Sequence, residues 1–401
     1  MPEHDEADLL AVILPRTAAA PVIRAAWDAG RAVTVLDPAA PAAALRTLLD
    51  EVAPTHLVDG DGERGRTGGR PVSREVAAVA TTSGTTGMPK GIELTRDGMT
   101  AAGRAVPEAI GVTAADRWLV CGPLHHVAAL AVLARAQTTP YEIVVHDTFD
   151  VDAVARAPER EDTTVVSLVP TMLHRLLAAD APLEQWQCVF VGGSALPPAL
   201  RAQAEARGAR VVETYGLSET WGGCVHDGRP QRGTAARLAW DGEVELETDV
   251  LMRGYRDRPE ETAQALTADG WFRTGNLGAW TDDHRLRIID RKKELVISGG
   301  VNVSLVEVEH QLALHPAVAD VCIAGVPDDE WGERVVAYVV PRDAAAPPTL
   351  AELRAFALAR LSAPKAPREL VLVDEIPRTA SGKARRHLLR DLRGVHESAQ
   401  R

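Results

Sequence analysis

Aromatic residues make up only 4 % of this 401-residue chain, so its cores have to be assembled mainly from Ala, Val and Leu. Apolar residues reach 46 %, which is enough material to do so. Cysteine is scarce as well. Cys121, Cys188, Cys224 and Cys322 are widely spaced with no CxxC pair, which argues against a zinc site or a disulfide framework and predicts four reduced thiols. No apolar run reaches the roughly 18 residues that a membrane helix needs. The opening decapeptide MPEHDEADLL has no apolar stretch of the signal-peptide kind. These absences predict a cytoplasmic protein that does not engage a membrane. Positive charge is also in deficit. A formal net charge of −12 excludes a generally basic surface for nucleic acid, while leaving room for a local pocket that binds phosphates.

The chain is long enough for two domains. LLAVILP and AVTVLDP read as strands, and AAPVIRAAWDAG and PAAALRTLLDEV as helices, giving a βα pattern up to residue 58. Residues 59–75 are rich in Gly and Arg and read as a loop. VAAVATTSG, TTVVSLVPT and QCVFVGG are short continuous apolar runs that alternate with helical stretches such as PTMLHRLLAAD and LPPALRAQAEARG. That pattern predicts a mostly parallel sheet covered on both faces. Beyond residue 235 the alternation becomes stricter in GEVELET and HRLRIIDRKKELVIS, as antiparallel strands require. SLVEVEHQLALHP and TLAELRAFALARL read as helices, VADVCIAGVPD and ERVVAYVVPR as strands, and DAAAPPT as a surface loop. The expected fold is α/β. A large N-terminal domain of mostly parallel sheets flanked by helices spans 1–292, and a small α+β C-terminal domain spans 293–401, with the joint in the charged run DRKKE.

The stretch TSGTTGMPKG, residues 82–91, carries the first chemical signal. It is not a Walker A loop, because Gly87 is followed by Met88-Pro89-Lys90 rather than by Lys and Ser or Thr. The same physics applies nonetheless. Gly84 and Gly87 let backbone N–H groups approach an anion, Ser83, Thr85 and Thr86 add hydroxyls, and Lys90 adds charge. A flexible surface loop is the plain alternative, but the stretch follows an apolar strand and ends in a Pro-Lys-Gly unit.

Further motifs follow in order: PLHHVAAL (123–130), VGGSALP (191–197), ETYGLSET (213–220), GYRDRPEET (254–262), GWFRTGN (270–276), DRKKELVISGGVNVSLVEVE (290–309) and IPRTASGK (376–383). Together they resemble the acyl-adenylate-forming superfamily over about residues 76–395. That group includes acyl- and aryl-CoA ligases, the adenylation domains of peptide synthetases, and luciferases. The resemblance implies two half-reactions. ATP and a carboxylic acid give an acyl-adenylate and pyrophosphate, and a thiol then displaces AMP. It implies ATP, Mg²⁺ and coenzyme A as cofactors and co-substrates, with an acyl carrier protein as an alternative acceptor; a homodimer is compatible with the sequence.

The same resemblance distributes roles. Thr82, Ser83, Gly84, Thr85, Thr86, Gly87 and Lys90 would hold the β- and γ-phosphates. Glu213, Thr214, Tyr215 and Gly216 would line the nucleotide site, with Tyr215 against the adenine, and Thr220 would touch the α-phosphate. Glu219 would bind Mg²⁺, a hard ion suited to carboxylate and phosphate oxygens. Gly192, Gly193 and Ser194 resemble the loop between adenine and acyl pocket, although locally they fit an ordinary βα turn equally well. His126 matches the histidine bordering the acyl pocket, with His125 beside it. A packed core histidine is the alternative for either. Arg291 would contact the ribose, Lys293 would be the hinge between half-reactions, and Gly299 and Gly300 would reach the thiolation site. Lys383 would enter the active site for adenylation.

Two departures stand out. Asn276 replaces the aspartate expected to bind the ribose hydroxyls and loses its charge. The segment ahead of the phosphate loop is short, which implies a reduced N-terminal subdomain. The short N-terminal region, the paired histidines and GLSETWGGCVHDG look like o-succinylbenzoate–CoA ligases. Arg135 lies where those ligases can carry an arginine for the carboxylate that is not activated, and a helix-surface charge is equally compatible. Trp221 occupies a substrate-side position where a smaller residue is expected. With Asn276 it keeps open a specialised relative that activates another aryl or alkenoic acid. A non-catalytic nucleotide-binding homologue is the third reading, opposed by the joint presence of Lys90, Glu219, Lys293 and Lys383.

Overall fold

The computed structural model describes residues 5–83, 89–292, 295–298, 301–378, 384–386 and 388–389. Contacts divide the chain into two compact units. One comprises residues 1–237 and 245–274, and the other residues 238–244 and 275–401. The chain passes between these units more than once.

The larger unit holds two seven-stranded sheets. The first begins from the N-terminal βα pattern. Leu9–Val12 is paired in parallel with Ala32–Val35 and His56–Asp59, and Ala32–Val35 is paired in parallel with Val76–Ser83. Helices Arg16–Asp28 and Ala42–Val52 supply the crossovers. The expected parallel character stops at the edges. Val76–Ser83 pairs antiparallel with Pro89–Thr95, which pairs antiparallel with Gly254–Tyr255. The register sets Thr82 opposite Lys90. Directly opposed residues share a face, so this hairpin brings a hydroxyl and a cation of the phosphate motif together.

Residues 59–75 differ from the loop expected for them. Gly62–Gly65 pairs antiparallel with His56–Asp59, and Val72–Ser73 pairs with Glu6–Ala7. All four residues of Gly62–Gly65 are exposed, so this edge strand has no buried face to leave a hydrophobic signature.

The second sheet runs Glu142–Val145, Arg117–Val120, Val165–Leu168, Cys188–Val191, Val211–Leu217, Gly222–His226 and Arg229–Pro230. The first five are parallel and the last two turn back antiparallel. Cys188–Val191 is buried throughout, as expected of a strand covered on both faces. All four cysteines are free and buried.

In the smaller unit, the strands Val301–Val303, Val296–Ser298, Gly332–Pro341 and Val318–Asp328 lie in that order, with Glu369–Leu372 parallel to Gly332–Pro341. Helices Leu305–Leu312 and Leu350–Leu358 bury Leu305, Val308, Leu312 and Leu353 against Val296, Ile323, Val335 and Val339. Both helices start as their sequences dictate. Ser304 accepts from Glu307 N at 3.1 Å, and Thr349 and Glu352 form a reciprocal capping box. Among the described residues no helix is long and apolar enough to cross a membrane.

One buried charge cluster fixes the strand that carries Lys90. Arg256 is 5 % exposed. Its guanidinium donates to Glu93 at 3.1 Å, to Val52 O at 2.8 Å and to Arg70 O at 2.7 Å, while Arg253 reaches the other oxygen of Glu93 at 3.0 Å. Breaking a buried pair from one side leaves a charge uncompensated. Arg256→Met should cost about 3 kcal/mol, the low end of the range because Arg253 still faces Glu93. Denaturant unfolding of the variant beside the parent protein measures it.

Candidate active site

The phosphate motif and the ETYGLSET motif meet through a segment to which the sequence assigned no role. Lys90 Nζ is ion-paired to Glu261, and it lies 5.3 Å from the centroid of the Tyr255 ring. The Tyr255 hydroxyl donates to Glu219 Oε1 at 2.9 Å. Burial and the carboxylates of Glu219 and Glu261 push the phenol well up, so it stays a donor. Glu261 sits well below the usual carboxylate range because Lys90 and then Arg258 bond to it. Tyr255 and Glu261 both belong to GYRDRPEET, so a motif legible in the sequence carries site residues whose roles were not. Their spacing across a strand and a helix start hid that two side chains six apart would flank one lysine.

Glu219 lies in the short helical turn Ser218–Thr220 that follows strand Val211–Leu217. Its backbone carbonyl accepts Met252 N at 2.7 Å. The carboxylate has one oxygen on Tyr255, and the other carries no hydrogen bond among the described residues. A half-exposed, oriented carboxylate with an available oxygen fits a hard divalent ion, as Mg²⁺ requires. Thr220 is fully buried. Its hydroxyl donates to Gly222 O at 2.8 Å and accepts from Leu217 N at 2.9 Å. The side chain expected at the α-phosphate is thus engaged with its own turn.

Gly216 is obligatory where the strand doubles back, because a Cβ there would stand 1.8 Å from Gly222 O. Thr214 and Tyr215 pair with His226 and Val225 in the same hairpin. Glu213 has its carboxyl pushed up by burial and accepts from Leu196 N at 3.4 Å. Gly192, Gly193 and Ser194 follow strand Cys188–Val191, and Gly193 takes φ +83° in the turn.

Among the residues expected at the acyl pocket, His126 is the residue before helix Val127–Arg135, and its ring lies 4.5 Å from that of His125. Burial lowers the His125 pKa, with Asp37 opposing. Arg135 ends the helix with 2 % exposure. Its Nη2 reaches Trp221 O at 3.5 Å, its Cζ lies 6.0 Å from the Phe190 ring, and its Nε has no hydrogen-bond partner. The helix-surface alternative is therefore overturned: the face of the helix that carries Arg135 is internal. Trp221 has φ +50°, and its fully buried indole donates to Thr95 O at 3.0 Å. The substrate-side role expected of its side chain meets a core packing role instead, because the hydrogen bond to Thr95 turns the ring toward helix Arg96–Ile110.

The smaller unit holds the remaining residues. Asn276 is 8 % exposed and pairs with Arg291 across the Phe272–Trp280 and Leu286–Arg291 strands. Beside them, Glu243 accepts from Gly275 N at 2.9 Å and from Lys292, which also binds Asp241. Gly84, Thr85, Thr86, Gly87, Lys293, Gly299, Gly300 and Lys383 lie outside the described residues, and Ser83 ends its strand. The flanks of Lys383 are anchored. Arg378 binds Asp320 at 2.8 Å, and Arg386 binds Glu309 at 2.8 Å and Ile323 O at 3.0 Å.

A second buried group lies near Arg135. His226 has Nδ1 3.0 Å from Thr214 Oγ1 and Nε2 3.2 Å from Gln231 Oε1, and burial pushes its pKa down to about 4. The folded state therefore favours the neutral ring. Its contribution is fully present above the unfolded value near 6.5 and is lost as pH falls toward 4. By pH 5 the loss is on the order of 2 kcal/mol. His226→Gln should flatten the decline in unfolding midpoint between pH 7 and pH 5.

Comparison with known proteins agrees with this geometry. The profile described as AMP-binding enzyme matches residues 61–253, and that of the AMP-binding enzyme C-terminal domain matches residues 307–383. A probable 2-succinylbenzoate–CoA ligase of Mycobacterium tuberculosis is 39 % identical over 333 residues, covering 80 % of this chain and 85 % of that protein. Among solved structures, the o-succinylbenzoate CoA synthetase of Bacillus subtilis in complex with its acyl-adenylate intermediate superposes with a TM-score of 0.85 at 26 % identity, over 96 % of this chain and 88 % of that one. An amide bond synthetase from Marinactinospora thermotolerans gives 0.84 at 27 % identity, over 97 % and 90 %. With the phosphate hairpin, the Glu219 turn and the C-terminal module all in place, the chain belongs to the AMP-binding, acyl-adenylate-forming enzymes, and it resembles their o-succinylbenzoate–CoA ligases.

Proposed function

We propose that this chain is an AMP-forming acid–thiol ligase whose acid is o-succinylbenzoate and whose acceptor is coenzyme A. In the first step a carboxylate oxygen attacks the α-phosphorus of ATP and pyrophosphate leaves. In the second the CoA sulfur attacks the acyl carbon, and AMP leaves as the thiol proton is released. Lys90 and the hydroxyls around it neutralise the departing pyrophosphate. Glu219 would hold Mg²⁺, which supplies charge neutralisation on the phosphates. Lys383 stabilises charge on the carboxylate and α-phosphate oxygens during adenylation. The chain is read as residues 1–292 and 293–401 turning about Lys293, which would exchange Lys383 for the Gly299–Gly300 segment between steps. Asn276 and Arg291 are assigned to the ribose.

The observation that carries the choice of acid is Arg135. A guanidinium 2 % exposed, with no carboxylate bonded to it among the described residues and an aromatic ring at 6.0 Å, is costly until an anion joins it. A dicarboxylate on an aromatic ring supplies both partners. The 39 % identity to a protein named for that acid supports the same reading.

The reading is tested by pyrophosphate release with Mg-ATP across o-succinylbenzoate, benzoates, cinnamates and short fatty acids, with and without CoA. Release with o-succinylbenzoate and a CoA thioester by mass would establish it. Release with another acid, or without thioester, would favour the specialised-metabolism reading. The near-equal likeness to an amide bond synthetase and the Asn276 departure speak for that alternative.

Arg135→Met should lower kcat/KM for o-succinylbenzoate by about 100-fold or more, and that for benzoate little. The same variant should leave the protein as stable or more so, by about 1–4 kcal/mol, because a buried charge is removed. Lys383→Ala should slow adenylate formation about 100- to 1000-fold and spare thiolation of a preformed adenylate. Separate assays of the two half-reactions distinguish these outcomes.

A further inference from the structure

Tyr255 is placed between the two charges of the nucleotide site. Its hydroxyl donates to Glu219 Oε1 at 2.9 Å, and the Lys90 ammonium lies 5.3 Å from its ring centroid. Its backbone has little freedom. Tyr255 N donates to Thr262 Oγ1 at 2.9 Å, Tyr255 pairs with Ile92, and Arg256 N donates to Gly91 O at 2.9 Å. Glu261 holds Lys90, Arg258 reaches Glu261 at 3.2 Å, and Arg258 in turn bonds to Glu51 at 2.6 Å. A phenol fixed in this way leaves Glu219 one occupied oxygen and one available oxygen, and gives the lysine a face on which to rest. Outer-shell donors of this kind orient metal-binding carboxylates, and a ring face stabilises an ammonium placed over it.

We propose that Tyr255 is a positioning residue that pre-sets both Glu219 for the divalent ion and Lys90 for the polyphosphate. The proposal rests on the reading of Glu219 and Lys90 given above. The two halves of the role separate chemically: the hydroxyl acts on the metal carboxylate, and the ring acts on the lysine.

Binding of Mn²⁺ to the protein with ATP, in the absence of any acid, is followed by electron paramagnetic resonance. ATP binding without metal is followed by calorimetry. Tyr255→Phe keeps the ring and should weaken Mn²⁺ about tenfold, with metal-free ATP affinity and thermal midpoint unchanged. Tyr255→Leu should weaken both ligands. Glu219→Ala and Lys90→Ala test the underlying reading. If Glu219→Ala lowers Mn²⁺ affinity and Tyr255→Phe binds Mn²⁺ as the parent does, the positioning role is overturned while the site assignment stands. If Glu219→Ala and Lys90→Ala both bind Mn²⁺ and ATP as the parent does, the site assignment itself falls, and the proposal with it.

Discussion

A guanidinium held out of water, with no carboxylate bonded to it among the described residues, is a constraint that the larger unit has to accommodate. Arg135 sits at the end of helix Val127–Arg135, and no carboxylate among the described residues bonds to it. Burial keeps the Cys224 thiol protonated by raising its pKa to about 12, and it keeps His226 neutral. Trp221 adopts a left-handed conformation, and its carbonyl is the polar atom offered to Arg135, at 3.5 Å. Gly222 follows with φ +85°, a left-handed conformation in which glycine is favoured, and a Cβ there would only touch Arg135 Nη2 at 3.5 Å. A buried unpaired charge is weak evidence of stability and stronger evidence of recognition.

The opposite strategy operates at the phosphate end. There Lys90, Glu261, Arg258 and Glu51 are linked by ion pairs among the described residues. Lys90 is on Glu261, Arg258 bridges Glu261 and Glu51, and Tyr255 bonds to Glu219. Half-exposed groups of this kind are held in position at little desolvation cost, and preorganisation of charge is the main source of rate in phosphoryl and acyl transfer. The buried Arg256–Glu93 pair beneath them anchors the strand on which Lys90 rides.

Most helices and strands of the βα stretch and of the C-terminal module were legible, because burial on one or both faces writes a period into the sequence. The edge strand Gly62–Gly65 was not, since it is exposed along its whole length. The resemblance assigned expected roles to the phosphate loop, His126, Glu219 and Lys383, each inside an ordered set of motifs. Tyr255 and Glu261 were visible as letters of a motif without roles. Their contacts depend on a strand pairing between residues 254–255 and 92–93, distant in sequence.

The sequence by itself determined the family, the order of the elements and the chemical type of each site group. Glycine placement, hydroxyls and lone charged residues in a fixed order are local properties of the chain. Only the tertiary structure decided which way the side chains at those positions are used. It made Arg135 an interior cation rather than a surface one, turned the Trp221 indole onto Thr95, and laid Tyr255 between Lys90 and Glu219. Those outcomes follow from long-range strand register and from burial, which set the dielectric and the partners of a side chain and which no local pattern encodes.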